Sequence, residues 1–247
     1  MKILGICATH ASKRPSTSMF LLEEALKAAK TKGAETEAIR LSDYTIVPCT
    51  GCSTCMMFKP CPLLKDKHDQ MKELYGKMKA ADAFIFSYPT YALLPPSILI
   101  NFIDRLSPEE DMSSQYKIYN MDQIPWVKGK FFVHKKVGII SCAAGTGMEN
   151  AAAVIVPQFR AMRASVVAVA SMAMMEYDQG PHIVNSPIHK DIKNADFAIK
   201  MAQGVGERVV SGSVVFDETY KYEQNVEAII ELAKSRGMTS LSQGSSI

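Results

Sequence analysis

The sequence predicts a doubly wound α/β fold built on a five-stranded parallel sheet. Five short apolar segments alternate along the chain with segments of helical periodicity. That alternation is typical of a parallel sheet covered by helices on both faces. The chain has 247 residues, of which 47% are hydrophobic, so it can bury the core of one large domain. No linker-like or low-complexity segment divides it.

Four of the five predicted strands are apolar runs bounded by polar or turn-forming residues. Runs of this kind are typical of strands that are buried on both faces. The second strand, ETEAIRL at residues 35–41, is predicted from its alternation of polar and apolar residues. Pro89 marks a firm end for the third strand. The predicted strands span residues 2–7, 35–41, 82–89, 135–142 and 165–174.

Helices are predicted where apolar residues recur at intervals of three and four. The first ends near Gly33, and another has Pro95 and Pro96 near its start. Pro157 is expected to kink or interrupt the helix that contains it. The predicted helices span residues 18–34, 67–81, 97–106, 150–164, 191–210 and 218–236. Segment 107–130 has no clear periodicity and is interpreted as an insertion.

Composition and charge exclude several classes of function. The net charge is +3 and no run of Lys and Arg is interleaved with aromatic residues, so a nucleic-acid partner is not expected. The N-terminal apolar run is too short for a signal peptide, and no apolar stretch has the length of a membrane span. The sequence therefore predicts a cytoplasmic protein without a membrane partner. In that compartment, clustered cysteines more often bind metal or carry out redox chemistry than form disulfides.

The first candidate loop follows the first strand. Parallel α/β sheets bind ligands at the carboxyl ends of their strands, near the point where the strand order reverses. Residues 8–19 are rich in hydroxyl groups and lead into a helix N-terminus, which favours a bound phosphate. The alternative is a solvated loop in which Ser16 or Ser18 caps the helix. The loop lacks the glycines of a dinucleotide or nucleotide-triphosphate motif.

Two further candidate loops follow the third and fourth strands. SYPTYALLPPS, residues 87–97, carries two aromatic residues that could line a flat ring or pack inward in a rigid turn. SCAAGTGMEN, residues 141–150, has small residues that let the backbone approach a ligand, or that simply form a turn before a helix. Since the fold would bring the three loops together, they suit flavin mononucleotide, with the phosphate on the first loop and the ring against the other two.

A cysteine cluster occupies the segment PCTGCSTCMMFKPCP, residues 48–62. Four of the six cysteines of the chain fall here, with the spacing C-x2-C-x2-C-x5-C. Disulfides, a structural zinc, metal-free redox thiols and an iron–sulfur cluster are the alternatives. Zinc sites usually pair two C-x2-C motifs at a wider separation. Closely spaced thiolates on one turning loop, stiffened by its prolines, favour an iron–sulfur cluster.

Taken together, these motifs resemble a known family. The segments ILGIC, STSMFLLEEAL, FSYPTYALLPPSILINFIDRL and IISCAAGTG, with the cysteine loop, are similar to the iron–sulfur flavoprotein branch of the flavodoxin-like NAD(P)H-dependent FMN reductase superfamily. The similarity covers about residues 2–175. It implies a flavodoxin-like sheet of order 2-1-3-4-5 with extra C-terminal helices. Residues 1–180 would form the FMN-binding domain, and residues 181–247 a helical extension packed on that domain or on a partner subunit.

The resemblance also implies two cofactors, FMN and one [4Fe–4S] cluster, and assigns residues to each. The phosphate of FMN would contact Ser12, Lys13, Arg14, Ser16, Thr17 and Ser18. Its ring would contact Pro89, Thr90, Tyr91, Ala92, Leu93, Ala143, Gly145, Thr146 and Gly147. The cluster ligands would be Cys49, Cys52, Cys55 and Cys61. No side chain stands out as a general acid or base, and none is assigned a catalytic role.

The expected activity is electron transfer from a one-electron carrier such as ferredoxin, through the cluster and FMN, to a small acceptor. One alternative is an NAD(P)H-dependent FMN or quinone reductase without a working cluster. The other is a non-enzymatic redox or iron sensor. The resemblance further implies a homodimer or homotetramer.

Overall fold

A computed structural model describes residues 1–11, 16–57, 59–106, 132, 134–162, 164–173, 192–214 and 235. The strands are β1 (Lys2–Cys7), β2 (Glu35–Arg40), β3 (Ala83–Pro89), β4 (Lys136–Ala143) and β5 (Ser165–Ala173). The helices are α1 (Thr17–Thr31), α2 (Met71–Lys79), α3 (Ser97–Asp104), α4 (Met148–Ala161) and α5 (Asp196–Ser211). Short 3-10 helices span Leu41–Asp43, Thr54–Met57, Pro62–Lys65 and Ile192–Asn194.

The five strands form one parallel sheet in the order β2-β1-β3-β4-β5. The flavodoxin-like fold and the strand order 2-1-3-4-5 are therefore confirmed. Ile3 of β1 pairs with Thr36 of β2 on one side and with Ala83 of β3 on the other. The strand order reverses between β1 and β3, so a ligand crevice is expected at their carboxyl ends.

Alternating side chains of the central strands fill a core on each face of the sheet. On one face α1 and α5 cover β1, β3 and β4, and Val205 and Val209 of α5 pack over Gly138. On the other face, beneath α3 and α4, lies an aromatic cluster in which each buried ring contributes ~2–3 kcal/mol to stability. Its members are Phe84, Phe86, Phe102, Phe132 and Phe159.

Three helices differ from the sequence predictions. The helix expected from residue 67 begins at Met71, because Asp69 turns inward to a buried partner. The helix expected from residue 191 begins at Asp196, after a 3-10 turn. Pro157 was expected to kink or interrupt its helix; an interruption is wrong, since α4 continues through this residue, and a kink stays a prediction. Proline removes one backbone hydrogen bond, and the helix extends well before it.

Several predictions concern residues that lie outside the described part of the chain. These are the insertion at 107–130, residues 181–191 of the extension, and the helix at 218–236 apart from Ser235. The division of the chain at residue 180 stays a prediction. Within the described ranges, no helix combines the length and the apolar character that crossing a bilayer requires.

Candidate functional site

Hydrogen bonds join the three predicted ligand loops at the carboxyl edge of the sheet. The backbone N–H of Ala8, after β1, donates to the carbonyl of Ser87 at 2.9 Å. The Ser87 hydroxyl donates to the carbonyl of Ser18 at 2.7 Å. The N–H of Thr90, after β3, donates to the carbonyl of Cys142 at the end of β4, at 2.7 Å. The structure thus brings together the loops that the sequence placed at one edge.

The N-terminus of α1 has the features of an anion site. Ser16 is the capping residue, and its hydroxyl oxygen accepts from the N–H of Met19 at 3.3 Å and lies 3.0 Å from the hydroxyl of Ser18. The first turn contains no acidic residue. Ser16, Thr17 and Ser18 are all buried against the sheet edge. The positive end of the helix dipole therefore meets no negative side chain of that turn.

The remaining predicted phosphate contacts, Ser12, Lys13 and Arg14, lie outside the described residues. Their role stays a prediction. On the described side of the same loop, the carbonyl of Ala11 accepts from the guanidinium of Arg40 at 2.8 Å. The loop is therefore anchored to the end of β2 on its way into α1.

The loop after β3 forms a tight two-residue turn. Tyr91 and Leu94 exchange two backbone hydrogen bonds, each 2.9 Å long. Between them, Ala92 and Leu93 have φ angles of 47° and 66°, in the left-handed region that side chains usually avoid. Residues held in this region frequently occur at ligand-binding sites. The turn leaves Tyr91, Leu93 and Leu94 about half exposed at the sheet edge.

The loop after β4 meets that turn at Gly147, which precedes α4 with a φ of 93°. A side chain at this position would lie within 2.7 Å of the Leu93 Cα. Among the other predicted ring contacts, Ala143 is buried, Gly145 is half-buried and Thr146 is exposed. Pro89 and Thr90 are half-buried. The two predicted ring-binding loops therefore form one continuous wall.

A groove of about 950 Å³ lies beside this wall, between the β3 loop, α3 and the cysteine loop. Its size is that of a cofactor or substrate site. The His10 ring stacks on the Tyr91 ring with centroids 6.2 Å apart, and its Nε2 atom lies 3.3 Å from the Ser97 hydroxyl. Of the predicted ring contacts, Tyr91 alone lines the groove, together with Cys49 of the cysteine loop. The groove thus connects the aromatic turn to the thiols.

All four clustered cysteines line one small pocket of about 30 Å³, which has room for only a few water molecules. Gly51 and Ser53, on either side of Cys52, have positive φ angles of 66° and 55° and reverse the chain between thiols. Cys49 lines both this pocket and the larger groove, and so does Asp104. The thiol loop and the aromatic turn therefore face a common space within one chain.

Among the described residues, which include all four clustered cysteines, no three His, Cys, Asp or Glu side chains converge closely enough to hold one metal ion. None of the six cysteines forms a disulfide. A hydrogen bond from the Thr54 hydroxyl, 3.1 Å from the Cys52 sulfur, lowers the pKa of that thiol and favours the thiolate that iron binds.

A buried ion pair lies against the cysteine pocket. The Arg105 guanidinium donates to both carboxylate oxygens of Asp69, each at 2.8 Å, and both side chains are almost completely buried. Burial opposes the charge of Arg105, but the hydrogen bonds and attraction of Asp69 outweigh it and raise the pKa of the guanidinium, with a smaller electrostatic contribution from Cys61. Arg105 itself lines the pocket.

This pair was not predicted from the sequence. The available signal was an arginine near the end of SILINFIDRL, a largely apolar segment that is predicted to be helical. Its partner Asp69 is 36 residues away, in a segment that the sequence predicts to be helical, so no local pattern indicates the pairing.

The remaining cysteines, Cys7 and Cys142, are buried on β1 and β4. Burial raises the pKa of the Cys7 thiol to about 11 and that of Cys142 to about 12. Both are therefore neutral thiols at physiological pH. Cys142 donates to the carbonyl of Tyr88 at 3.6 Å, which ties the end of β4 to β3.

Comparisons with known proteins agree with the fold and identify the family. The profile of a family described as NADPH-dependent FMN reductase matches residues 1–179. An iron–sulfur flavoprotein of Methanocaldococcus jannaschii is 28% identical over 214 residues, covering 85% of this chain and 95% of that protein. An iron–sulfur flavoprotein of Archaeoglobus fulgidus is 36% identical over 108 residues, which are 42% of this chain and 48% of that protein. This second match therefore spans about half the length of the relative.

Among solved structures, a flavone reductase superimposes with a TM-score of 0.61 at 19% identity, covering 85% of this chain and 62% of that one. At this identity the superposition shows that the two chains share a fold. It carries no information about substrate.

Proposed function

Because the chain belongs to the NADPH-dependent FMN reductase family, and is therefore a flavin-dependent oxidoreductase, we propose that it is an FMN-containing iron–sulfur flavoprotein. In this proposal it transfers electrons from a one-electron carrier such as ferredoxin to a small acceptor. The observation that carries the proposal is the pocket lined by all four clustered thiols, which shares Cys49 and Asp104 with the groove at Tyr91.

The residues that would hold FMN lie at the carboxyl edge of the sheet. The phosphate would bind at the N-terminus of α1, where the capping serine and the helix dipole favour an anion, with Ser12, Lys13 and Arg14 contributing from the preceding loop. The ring would lie against the wall made by residues 89–93 and 143–147. There the exposed Tyr91 offers an aromatic surface and the tight backbone leaves room for a flat ligand.

The cluster would be held by Cys49, Cys52, Cys55 and Cys61. At about 30 Å³ their pocket is small, so the loop must widen to admit a cluster. Once bound, a [4Fe–4S] cluster supplies one-electron redox chemistry, and FMN can exchange one or two electrons, which suits a carrier on one side and a two-electron acceptor on the other. The chain supplies the positions of both groups and the charges around them.

Anaerobic purification followed by quantification of iron, sulfide, zinc and flavin tests the proposal. We expect about four irons and one FMN per chain. Cys55→Ser should lose the iron yet keep FMN, because the two groups use different loops. Cys142→Ala is the matched control and should keep the iron, since that thiol lies in the core. Stoichiometric zinc with almost no iron would overturn the cluster assignment, and loss of FMN from Cys55→Ser would show that the two sites are not separate.

A second candidate function is an NAD(P)H-dependent FMN or quinone reductase without a working cluster, which the family description favours. Stopped-flow reduction distinguishes the two. Fast reduction of the flavin by NADPH or NADH without a carrier protein would support this alternative, whereas fast reduction by reduced ferredoxin supports the first proposal. A protein that binds FMN but turns over no acceptor from any donor would instead be a redox or iron sensor.

The homodimer or homotetramer and the cytoplasmic location stay predictions. Sedimentation analysis of the FMN-loaded protein tests the first of them. A monomer at micromolar concentration would contradict it.

A further inference from the structure

We infer that Arg105 supplies a fixed positive charge and a hydrogen-bond donor, its Nε–H group, to the iron–sulfur cluster, and so raises the reduction potential of that cluster. The inference rests on the proposed function, because it concerns the site made by the four clustered cysteines. It adds a residue that is not a ligand and that the thiol spacing does not reveal. Arg105 is a tuning residue in this role.

The first support is the position of Arg105. It lines the pocket formed by the four cysteines, although it is almost completely buried and lies at the end of α3. Asp69, its partner, is not among the described residues that line this pocket. Arg105 therefore adjoins the thiols, and an electrostatic contribution from Cys61 helps to raise the pKa of its guanidinium.

The second support is an unused donor. Two of the Arg105 nitrogens are occupied: Nη1 donates to Asp69 and to the carbonyl of Val47, and Nη2 donates to Asp69. The Nε atom is buried and has no hydrogen-bond partner, a condition it shares among the described residues only with the hydroxyl of Ser42. A buried N–H without an acceptor is costly, so such a group calls for an explanation. The sulfur atoms of a cluster or of its thiolates are acceptors that the same pocket would bring to it.

The chemistry of the site gives this arrangement a consequence. Four thiolates make the site strongly negative, and reduction adds one more electron. A nearby fixed cation favours the more negative, reduced state, and hydrogen bonds to the sulfur atoms act in the same direction. Asp104 also lines the pocket and opposes this effect, but it is exposed, so solvent screens its charge. Arg105 is buried and is screened much less.

A purely structural role is the competing explanation. The Arg105–Asp69 pair also holds both backbone groups of Val47, since the Val47 N–H donates to Asp69 at 3.0 Å and its carbonyl accepts from Arg105. Val47 precedes Cys49 by two residues, so the pair fixes the start of the thiol loop. A scaffold of this kind would affect whether the cluster assembles, but not the potential of a cluster that has assembled.

The test uses the full-length protein, purified anaerobically, and two variants. Arg105→Lys keeps the charge and removes the Nε–H donor. The double variant Asp69→Asn/Arg105→Gln removes both charges together, so that no buried carboxylate is left unpaired. Lys77→Met is the control, because Lys77 belongs to an ion pair with Glu37 at 2.7 Å that does not line the pocket. Iron and sulfide content establish cluster loading, and EPR-monitored titration gives the midpoint potential.

We expect the double variant to lower the midpoint potential enough to change the reduced-to-oxidised ratio at least tenfold, about 59 mV for one electron. Arg105→Lys should lower it less, and Lys77→Met should leave it unchanged. ENDOR of the reduced wild-type cluster should detect an exchangeable proton, removed by D2O, that Arg105→Lys lacks. Loaded variants with the wild-type potential and an unchanged proton signal would overturn the inference, as would loss of the cluster from Arg105→Lys and the double variant alike. A wild-type protein that holds no iron would instead overturn the proposed function.

Discussion

Gly147 lies so close to Leu93 that a Cβ on the glycine would be 2.7 Å from the Leu93 Cα. This contact joins the two loops that form the proposed wall for the flavin ring. Gly147 also has a φ of 93°, which L side chains rarely adopt. Gly147→Ala should therefore destabilise the protein by about 1–3 kcal/mol and weaken FMN binding. Chemical unfolding and titration of flavin fluorescence measure the two effects.

A second substitution checks the cause. Leu93→Ala in the Gly147→Ala background removes the leucine side chain, but the clash with the Leu93 backbone remains. It should not restore stability. Full recovery in the double variant would show that side-chain crowding alone separates the loops, and wild-type stability of Gly147→Ala would contradict the contact itself.

Ser16→Asp should weaken FMN binding at least about tenfold, or ~1.4 kcal/mol. Aspartate keeps an acceptor at the capping position of α1, so the helix can still begin there, but it adds a negative charge where the phosphate would bind. Isothermal titration of the apoprotein with FMN gives the dissociation constant.

Riboflavin is the matched ligand for this prediction, since it carries the ring without the phosphate. Its affinity should change little in Ser16→Asp. An equal loss of affinity for FMN and riboflavin would mean that the substitution distorts the site and that the phosphate binds elsewhere.

Two glycines of α5 should respond in opposite ways to the same substitution. A Cβ at Gly206 would lie 1.9 Å from the carbonyl oxygen of Ala25 in α1, whereas a Cβ at Gly204 would meet no atom within 4 Å. Gly206→Ala must push the two helices apart and should cost about 1–3 kcal/mol. Gly204→Ala should add ~0.5–1 kcal/mol through helix propensity. Urea unfolding gives the free energy of unfolding of each variant. A change of the same sign in both variants would contradict the packing of α5 on α1.

The free energy of unfolding should fall as the pH rises, because Cys7 and Cys142 are buried thiols with raised pKa values. The pKa of Cys7 is raised to about 11 and that of Cys142 to about 12, so in the folded state both keep their protons above pH 9, where the unfolded chain releases them. The folded state then binds more protons than the unfolded state, and stability decreases by ~1.4 kcal/mol per pH unit for each thiol. The window for Cys7 is about pH 9 to 11, and for Cys142 about pH 9 to 12.

Cys142→Ala tests this dependence. The variant is expected to be less stable at pH 8.5, because it loses packing and the hydrogen bond to Tyr88, yet its stability should fall less steeply between pH 8.5 and 10.5. Guanidinium unfolding at both pH values gives the slopes. Parallel pH profiles for the wild type and the variant would exclude the thiol as the cause.

Much of the fold could be read from local patterns. Four strands are mainly apolar runs of six to nine residues, and β2 alternates polar and apolar residues. The alternation of strands with helices implies parallel pairing, and all these signals depend on neighbouring residues alone. The loops after β1, β3 and β4 could be grouped for the same reason, since the carboxyl ends of parallel strands lie at one edge. The spacing of the four cysteines likewise pointed to a cluster site.

Contacts between distant residues could not be read in this way. Nothing in the sequence distinguishes Gly204, which faces open space, from Gly206, which touches α1. Nothing links Asp69 to Arg105, and Asp69 was assigned to a helix that in fact begins after it. Such pairs depend on how helices pack on the sheet, and that is fixed by the whole core rather than by any local period.

The sequence by itself determined the sheet, the edge where ligands should bind and the four thiols with their spacing, because these are local properties of the chain. Only the tertiary structure decided that the thiol pocket adjoins the groove at Tyr91 within one chain, and that a buried arginine lines that pocket. The physical reason is that Arg105, directly after α3, lines the cysteine pocket, while the turn between β3 and α3 carries Tyr91 to the groove. The segment that runs from the end of β3 to Arg105 packs on the sheet as one piece. Its packing brings the positive charge of Arg105 and the ring of Tyr91 to the same cysteine loop.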